Sequence, residues 1–222
     1  MSGQSAQHGE DATATASAAL SRRDALRSGA ASVAWLLALG SIGPEVAAEL
    51  GRLALGAPMT GARLADILRA ERATWDALLA RVGPDQMEVP GVEGEWSVKE
   101  IVAHLMWYER AVLDGARQVV TTGTFTRPGE RGEMAGLSMD ERNERVAAAS
   151  RPRPLADVLA EADRVFEKLL AIISACPDDI LNDASLLGLP DDLPPWIRVA
   201  NSSYGHYREH VRAIESWLAT AR

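Results

Sequence analysis

The feature of this sequence that most limits its fold is the repetition of apolar residues at helical spacing between start and stop signals. In the first such segment, Thr60 is suited to cap a helix, and the Gly83-Pro84 pair ends it near Val82. Between these bounds the apolar positions recur every three or four residues, at Leu64, Ile67, Leu68, Trp75, Leu78 and Leu79. The pattern predicts an amphipathic helix with one buried face.

The second helix is predicted from a capping box, in which a serine and a glutamate three residues later each satisfy a free amide. Ser97 and Glu100 form this pattern, so the helix begins near Val98. Its inward stripe consists of Ile101, His104, Leu105, Tyr108 and Val112. A histidine therefore lies on the face that points into the core.

The middle of the chain contains a short and a long helical segment. Ser138 and Glu141 form a second capping box, which opens a short helix that ends before Pro152. Pro154 suits the first turn of the next helix, which continues to Cys176. Its apolar stripe consists of Leu155, Val158, Leu159, Ala162, Val165, Phe166, Leu169 and Ile173. Prolines, a glycine and paired aspartates break residues 177–194, which predicts a loop with room for one helical turn.

Pro195 starts the last predicted helix, because proline is favoured in a first helical turn. One side of this helix carries Trp196, Val199, Ser203, His206, Tyr207, His210, Ile214 and Trp217. Together the segments predict an all-α protein. Four long helices form a four-helix bundle over residues 60–222, with a short extra helix in the middle connection.

The first 48 residues differ in character from the rest. Ser21-Arg22-Arg23, followed by Leu26 and by an apolar stretch at 30–42, resembles a twin-arginine export signal. That stretch is shorter than the ~20 residues that span a bilayer as a helix, but it is normal for a signal peptide. Residues 1–48 are therefore predicted to be an N-terminal tail with a twin-arginine signal.

Cleavage is expected after Ala48, since residues 46–48 offer small side chains where a signal peptidase reads them. Residues 49–59 then form a linker to the bundle. On this interpretation the protein is exported to the periplasm or another extracytoplasmic space, with no stable membrane insertion after the signal is removed. Three alternatives remain open: an amphipathic helix at 22–42 packed on the bundle, an uncleaved anchor, and a cytoplasmic protein.

The charge pattern argues against a nucleic-acid partner. The formal net charge is −8, and lysine occurs only at Lys99 and Lys168, so the chain lacks a basic stripe for phosphates. Cys176 is the only cysteine, which excludes an intramolecular disulfide and a cysteine-rich zinc site. It lies in an apolar run before Pro177, where a buried, unreactive thiol is the ordinary explanation.

The histidines are distributed unevenly. Apart from His8 in the N-terminal tail, the sequence has three histidines, and all of them fall on predicted core faces. His206 and His210 stand one turn apart on one helix face, with Cβ atoms ~6 Å apart, which is close enough to bind one ion. Such pairs also arise by accident on exposed helices, so spacing alone leaves packing as the commoner explanation. If His104 joins them from a second helix, three imidazoles leave coordination positions open for water or substrate.

Several sharper catalytic motifs are missing from the sequence. In the 206–210 pair the glutamate precedes the second histidine, whereas zinc proteases need it directly after the first. No Glu-x-x-His occurs, which argues against a ferritin-like di-iron centre. The Gly-x-Ser-x-Gly motif and the phosphate-binding glycine loop are also absent, so serine hydrolysis and ATP use are not expected.

Three stretches resemble a known family. Residues 96–105, Trp-Ser-Val-Lys-Glu-Ile-Val-Ala-His-Leu, resemble the start of the second helix in the DinB/YfiT-like superfamily. Residues 206–210, followed by Ile214 and Trp217, resemble its last metal-binding helix. Residues 140–144, Asp-Glu-Arg-Asn-Glu, are similar to the acidic, asparagine-containing segment of the ClbS/DfsB branch. The resemblance covers about residues 60–221.

This resemblance implies an up-down-down-up four-helix bundle, which is frequently a homodimer. It also implies one nickel, zinc or iron ion held by His104, His206 and His210. Members of the superfamily include thiol-dependent transferases, a maleylpyruvate isomerase, and ClbS-like proteins that inactivate a reactive cyclopropane metabolite. The implied partner is a small-molecule substrate.

We expect a metal-dependent enzyme, a hydrolase or a thiol transferase, that transforms or detoxifies a small electrophile with metal-bound water or thiolate as the nucleophile. The candidate hydrogen-bond donors are Tyr108 and Tyr207. Glu109 and Glu209 are candidate bases, although packing and solvated faces are the more ordinary explanations. Packing at helix ends, or an aromatic rim around a pocket, explains Trp96, Trp107, Trp196 and Trp217. The alternatives are a non-catalytic ClbS/DfsB-type protein that sequesters a small molecule or a metal, and a purely structural domain.

Overall fold

The computed structural model describes residues 56–122, 132–186 and 193–220. Within these ranges the regular elements are helices, and an isolated bridge joins Glu93 and Trp96. The α-helices are α1 (Gly61–Val82), α2 (Val98–Thr122), α3 (Met139–Ser150), α4 (Leu155–Ala175), α5 (Asp178–Asn182), α6 (Pro195–Ser202) and α7 (Tyr204–Thr220). Short 3₁₀ turns occupy Pro84–Gln86 and Gly132–Met134. The all-α prediction is confirmed.

The predicted export signal lies outside the described residues. The same holds for residues 49–55 of the predicted linker and for residues 187–192 of the predicted loop. In the part of the chain that is described, no helix is long and apolar enough to cross a membrane.

Local capping signals set the helix starts. The Thr60 side chain accepts a hydrogen bond from the Arg63 amide at 3.1 Å, which caps α1 as predicted. Both predicted capping boxes are present. The Ser97 amide donates to Glu100 Oε2 at 2.8 Å, and the reciprocal bonds between Ser138 and Glu141 open α3. Pro154 precedes α4 as its cap residue instead of lying in the first turn.

The long helices α1, α2, α4 and α7 form a closed ring. Helix α2 packs on α4, α4 on α1, α1 on α7, and α7 on α2, so α1 and α2 lie diagonally across the bundle. Short α3 covers α2, and α6 lies against α2 and α7. The core they enclose includes the fully buried side chains Leu64, Leu68, Ile101, Leu169, Ile197 and Ile214.

The prediction of one continuous last helix from Pro195 is wrong. The helix ends at Ser202, Ser203 has φ −130° and ψ −106°, and α7 begins at Tyr204. Ser203 is completely buried, and its hydroxyl donates to the Val199 carbonyl at 2.6 Å. A serine that bonds back to the carbonyl four residues earlier bends helices, because it competes with the backbone for that acceptor. The break lets α6 lie on α2 while α7 also packs along α1.

Side chains from α2 and α5 anchor the connections at the bundle ends. The Lys99 ammonium is buried and donates to Glu88 at 2.8 Å and to the carbonyls of Arg151 and Arg153 at 3.0 and 3.1 Å. It therefore holds the α3–α4 connection to the start of α2.

The start of α1 is held in the same way by α5. The Gly61 amide donates to Asp178 at 2.9 Å, and Asn182 bonds both backbone groups of Met59. A Cβ at Gly61 would lie 2.8 Å from the carbonyl oxygen of Ile173, so the close approach of α1 to the end of α4 requires glycine.

Candidate metal centre

The bundle brings together the three histidines singled out in the sequence. His104 lies on α2, and His206 and His210 lie one turn apart on α7. One nitrogen from each ring lies within 4.8 Å of the others, and the residues are only 3%, 6% and 6% exposed. The helical periodicity therefore predicted the inward orientation of all three side chains correctly. Helices α2 and α7, which carry them, are neighbours in the ring of helices.

The spacing of the ring nitrogens suits a single ion. The Nε2 atoms of His104 and His206 are 3.0 Å apart. Two nitrogens bound to one ion at ~2.1 Å each, at a tetrahedral angle, lie ~3.4 Å apart, which is close to this value. His210 Nε2 is buried and has no hydrogen-bond partner among the described residues, so it is free to complete a three-nitrogen set.

Burial keeps the imidazoles of His104 and His206 neutral, which is the form that binds a metal. Removal from water lowers the pKa of His104 to about 3, and the neighbouring His210 adds to this effect. Burial likewise holds the pKa of His206 well below its ordinary value, with further contributions from His104 and His210. At neutral pH both rings therefore offer a lone pair instead of a second proton.

Glu93 is a site residue that the sequence analysis missed. Its Oε2 lies 2.6 Å from His210 Nδ1, and this bond lowers the pKa of the Glu93 carboxyl. A carboxylate that accepts a hydrogen bond from one nitrogen of a ligand imidazole fixes the orientation of the ring and leaves the other nitrogen for the metal. Glu93 comes from the loop before α2, where a turn with φ 59° at Gly94 leads to the bridge between Glu93 and Trp96.

Two aromatic rings border the histidines. The Trp96 ring centroid lies 5.1 Å from that of His104, and the Tyr108 centroid lies 5.0 Å from His104 and 4.8 Å from His206. Both aromatic side chains are only half-buried. Of the candidate donors, Tyr108 is therefore placed beside the triad. Trp107 makes an edge contact with Tyr108 at 5.0 Å.

Tyr207 points away from this site into a second buried network. Its hydroxyl donates to the carboxylate of Glu109, and its ring stacks on Trp75 at 5.4 Å. Arg72 lies close to Tyr207 and also binds Asp76 at 2.7 Å. Two of the candidate residues, Tyr207 and Glu109, thus partner each other between α2 and α7.

The remaining candidates differ in their distance from the triad. Glu209 is half-buried on α7 and acts electrostatically on Tyr108, so it lies near the site. Trp196 is buried in the core and Trp217 packs against it, which agrees with the packing interpretation of these two side chains. Cys176 is half-buried at the end of α4, and burial raises the pKa of its thiol, so little reactive thiolate forms.

Known proteins agree with this architecture. A crystal structure of an uncharacterised protein from Escherichia coli UTI89 is similar, with a TM-score of 0.60 and 15% sequence identity, and the similarity covers 74% of this chain and 95% of that chain. This likeness shows the fold. None of the curated proteins matches the chain. The profile of the DinB superfamily matches residues 67–214, about two thirds of the 222 residues. This chain therefore belongs to the DinB superfamily, as the sequence resemblance predicted.

Proposed function

We propose that His104, His206 and His210 hold one divalent metal ion and that the protein is an enzyme for a small electrophilic substrate. The observation that carries this proposal is the convergence of three buried imidazoles, with one ring nitrogen from each within 4.8 Å of the others. Imidazole ligands suit zinc, nickel and iron, which are the expected metals. Such an ion polarises a bound group and lowers the pKa of a bound water or thiol.

The residues around the triad have separate tasks in this proposal. Glu93 accepts a hydrogen bond from His210 Nδ1 and so directs Nε2 toward the ion. Tyr108 borders the triad with its ring, and its hydroxyl donates to Asn143 at 3.1 Å. The surrounding apolar core excludes bulk water, which strengthens each electrostatic interaction at the site.

Metal analysis tests the ligand set. The purified full chain is expected to contain about one divalent ion, and the His104→Ala and His210→Ala variants are expected to contain almost none. The matched control is His8→Ala, because His8 is the one histidine outside the triad. Full occupancy in His104→Ala would show that the triad is not the ligand set.

A sequestering protein of the ClbS/DfsB type is the second candidate, and the deep burial of all three histidines favours it. Turnover separates the two functions. Metal-loaded protein is incubated with a panel of thiols and small electrophiles, and substrate consumption is measured. An enzyme consumes many equivalents per chain, whereas a sequestering protein stops at one.

We also propose that the protein is exported through the twin-arginine route, a route that carries folded proteins. The basis is the Ser21-Arg22-Arg23 motif with Leu26 ahead of the apolar stretch at 30–42. Replacing both Arg22 and Arg23 by lysine is expected to retain the protein in the cytoplasmic fraction. Unchanged localisation of that variant would refute the route. The homodimer implied by the family resemblance remains a proposal that light scattering tests directly.

A further inference from the structure

The approach to the buried triad is bordered by aromatic side chains. The three histidines are at most 6% exposed, but the rings of Trp96 and Tyr108, which contact them, are only half-buried. A ligand that reaches the histidines from this side passes over these two rings.

Helix α3 holds both rings in place through consecutive residues. The Trp96 indole nitrogen donates to Glu144 Oε2 at 3.1 Å, and the Tyr108 hydroxyl donates to Asn143 Oδ1 at 3.1 Å. Glu144 also binds Arg151 at 2.9 Å. Both polar groups are therefore occupied by α3, which fixes the orientation of the two rings beside the triad. Pre-oriented side chains lose little entropy when a ligand binds.

The same Arg151 continues this support to the start of α2. Its Nε donates to Glu100 Oε1 at 2.6 Å, and the other oxygen of Glu100 belongs to the capping box with Ser97. The frame that positions Trp96 is thus tied to the helix that carries His104. The acidic, asparagine-containing segment noted at 140–144 acquires a structural role here, because Asn143 and Glu144 both belong to it.

The charge around the rings indicates which ligands they exclude. The Glu144 carboxylate binds the Trp96 indole nitrogen, and Glu93 binds His210 beside the triad. Asp140 and Glu209 act electrostatically on Tyr108. Two guanidinium groups lie among these four carboxylates, that of Arg142 near Tyr108 and that of Arg151 on Glu144. Because the carboxylates outnumber the cations, an anionic ligand tail is disfavoured at the rings relative to a neutral apolar tail. Aromatic pairs at these distances contribute about 0.5–1.5 kcal/mol beyond the burial of their surface.

From this arrangement we infer that Trp96 and Tyr108 form a specificity subsite for a neutral apolar group, preferably aromatic, attached next to the metal-binding atom of the ligand. The inference rests on the proposed metal centre and names the class of substrate that it accepts. Trp96 and Tyr108 are the residues that determine this specificity, and α3 is the wall that holds them.

Thiol binding to the cobalt-loaded full chain tests the subsite. The probes are phenylmethanethiol, ethanethiol and 4-(mercaptomethyl)benzoate, and the thiolate-to-cobalt absorption band reports binding directly. Phenylmethanethiol is expected to bind about tenfold more tightly than ethanethiol, the factor that ~1.4 kcal/mol of stacking and burial supplies. The carboxylate of 4-(mercaptomethyl)benzoate is too far from its sulfur to chelate the cobalt, and this thiol is expected to bind more weakly than phenylmethanethiol.

Variants assign the preference to the ring. Trp96→Ala is expected to reduce the ratio of the affinities for the two neutral thiols to about twofold, because phenylmethanethiol loses more contact with the ring than ethanethiol does. Trp96→Phe, which keeps an apolar ring but loses the bond to Glu144, is expected to give an intermediate ratio. Trp217→Ala is the matched control, because this half-buried tryptophan on α7 packs against the core.

The outcomes separate the two proposals. Absence of cobalt uptake by the wild-type chain refutes the metal centre, and the subsite with it. Cobalt uptake with equal affinities for the two neutral thiols refutes the subsite alone and leaves the metal centre standing. A preference that survives unchanged in Trp96→Ala also refutes the subsite.

Discussion

The buried carboxyl of Glu109 makes the stability of the fold depend on pH, and the substitution Glu109→Gln tests this dependence. This carboxyl is 1% exposed on α2, and its partner is the Tyr207 hydroxyl. Burial raises the pKa of Glu109 from 4.5 to about 7, while the bond to Tyr207 and the nearby Arg72 oppose this shift. Between these two pH values the folded protein binds more protons at this position than the unfolded chain does.

The sign follows from that difference in proton binding. Stability falls with rising pH wherever the folded state holds more protons, so Glu109 destabilises the protein progressively from about pH 4.5 to pH 7. Glutamine has the shape of the protonated carboxyl and does not titrate. The interval from 4.5 to about 7, at about 1.4 kcal/mol per pH unit, corresponds to about 3 kcal/mol.

The assay is urea unfolding of the wild-type and Glu109→Gln chains at pH 5, 6.5 and 8, with a chelator present. The chelator and the comparison with wild type cancel the contribution of the histidines. The free energy of unfolding of wild type is expected to fall relative to the variant by up to about 3 kcal/mol as the pH rises. A difference that is independent of pH, or that changes in the opposite direction, would mean that Arg72 keeps Glu109 ionised.

Three further substitutions follow from the contacts described above. Glu93→Gln is expected to weaken metal affinity about 10- to 100-fold with little change in melting temperature, because Glu93 orients His210 without being a ligand itself. The control Glu95→Gln, at an exposed neighbouring position, should bind metal normally, and equal affinities of the two variants would contradict the role of Glu93. Lys99→Met is expected to lower the free energy of unfolding by about 2–3 kcal/mol in urea titrations, because it leaves the carbonyls of the α3–α4 connection without a donor. The matched control is Lys168→Met at the exposed second lysine, and an equally small effect in both variants would show that Lys99 does not hold this connection. Gly61→Ala is expected to lower the free energy of unfolding by about 1–3 kcal/mol in the same titrations, because its Cβ would lie 2.8 Å from the Ile173 carbonyl oxygen. Ala62→Ser at the exposed next position should change little. No effect of Gly61→Ala would show that the start of α1 and the end of α4 separate easily.

The predictable part of this fold is the part that local signals determine. Thr60 and the two capping boxes act within a few residues of themselves, so the starts of α1, α2 and α3 could be predicted from the sequence. The inward orientation of His104 follows from the same helical periodicity that places its apolar neighbours in the core.

The remainder depends on contacts between distant parts of the chain. The break at Ser203 is marked in the sequence only by Gly205, which lies two residues later, and it arises where a buried hydroxyl bonds the Val199 carbonyl. Glu93 is one of several glutamates around the second helix, and its role depends on His210, which is 117 residues away in the sequence. Spacing within one helix cannot reveal a partner at that distance, nor can it show that Tyr207 turns toward Glu109.

That long separation has a consequence for the order of folding. The contact between His104 and His206 spans 102 residues, so a nascent chain that still lacks its last helix presents one of the three imidazoles and has no site. A contact across such a distance costs more loop-closure entropy than a local contact, so docking of α7 is expected to be a late step in folding. With the proposed metal centre, metal uptake would report a completed bundle, and an ion held by α2 and α7 would act as a reversible cross-link that slows the release of the terminal helix.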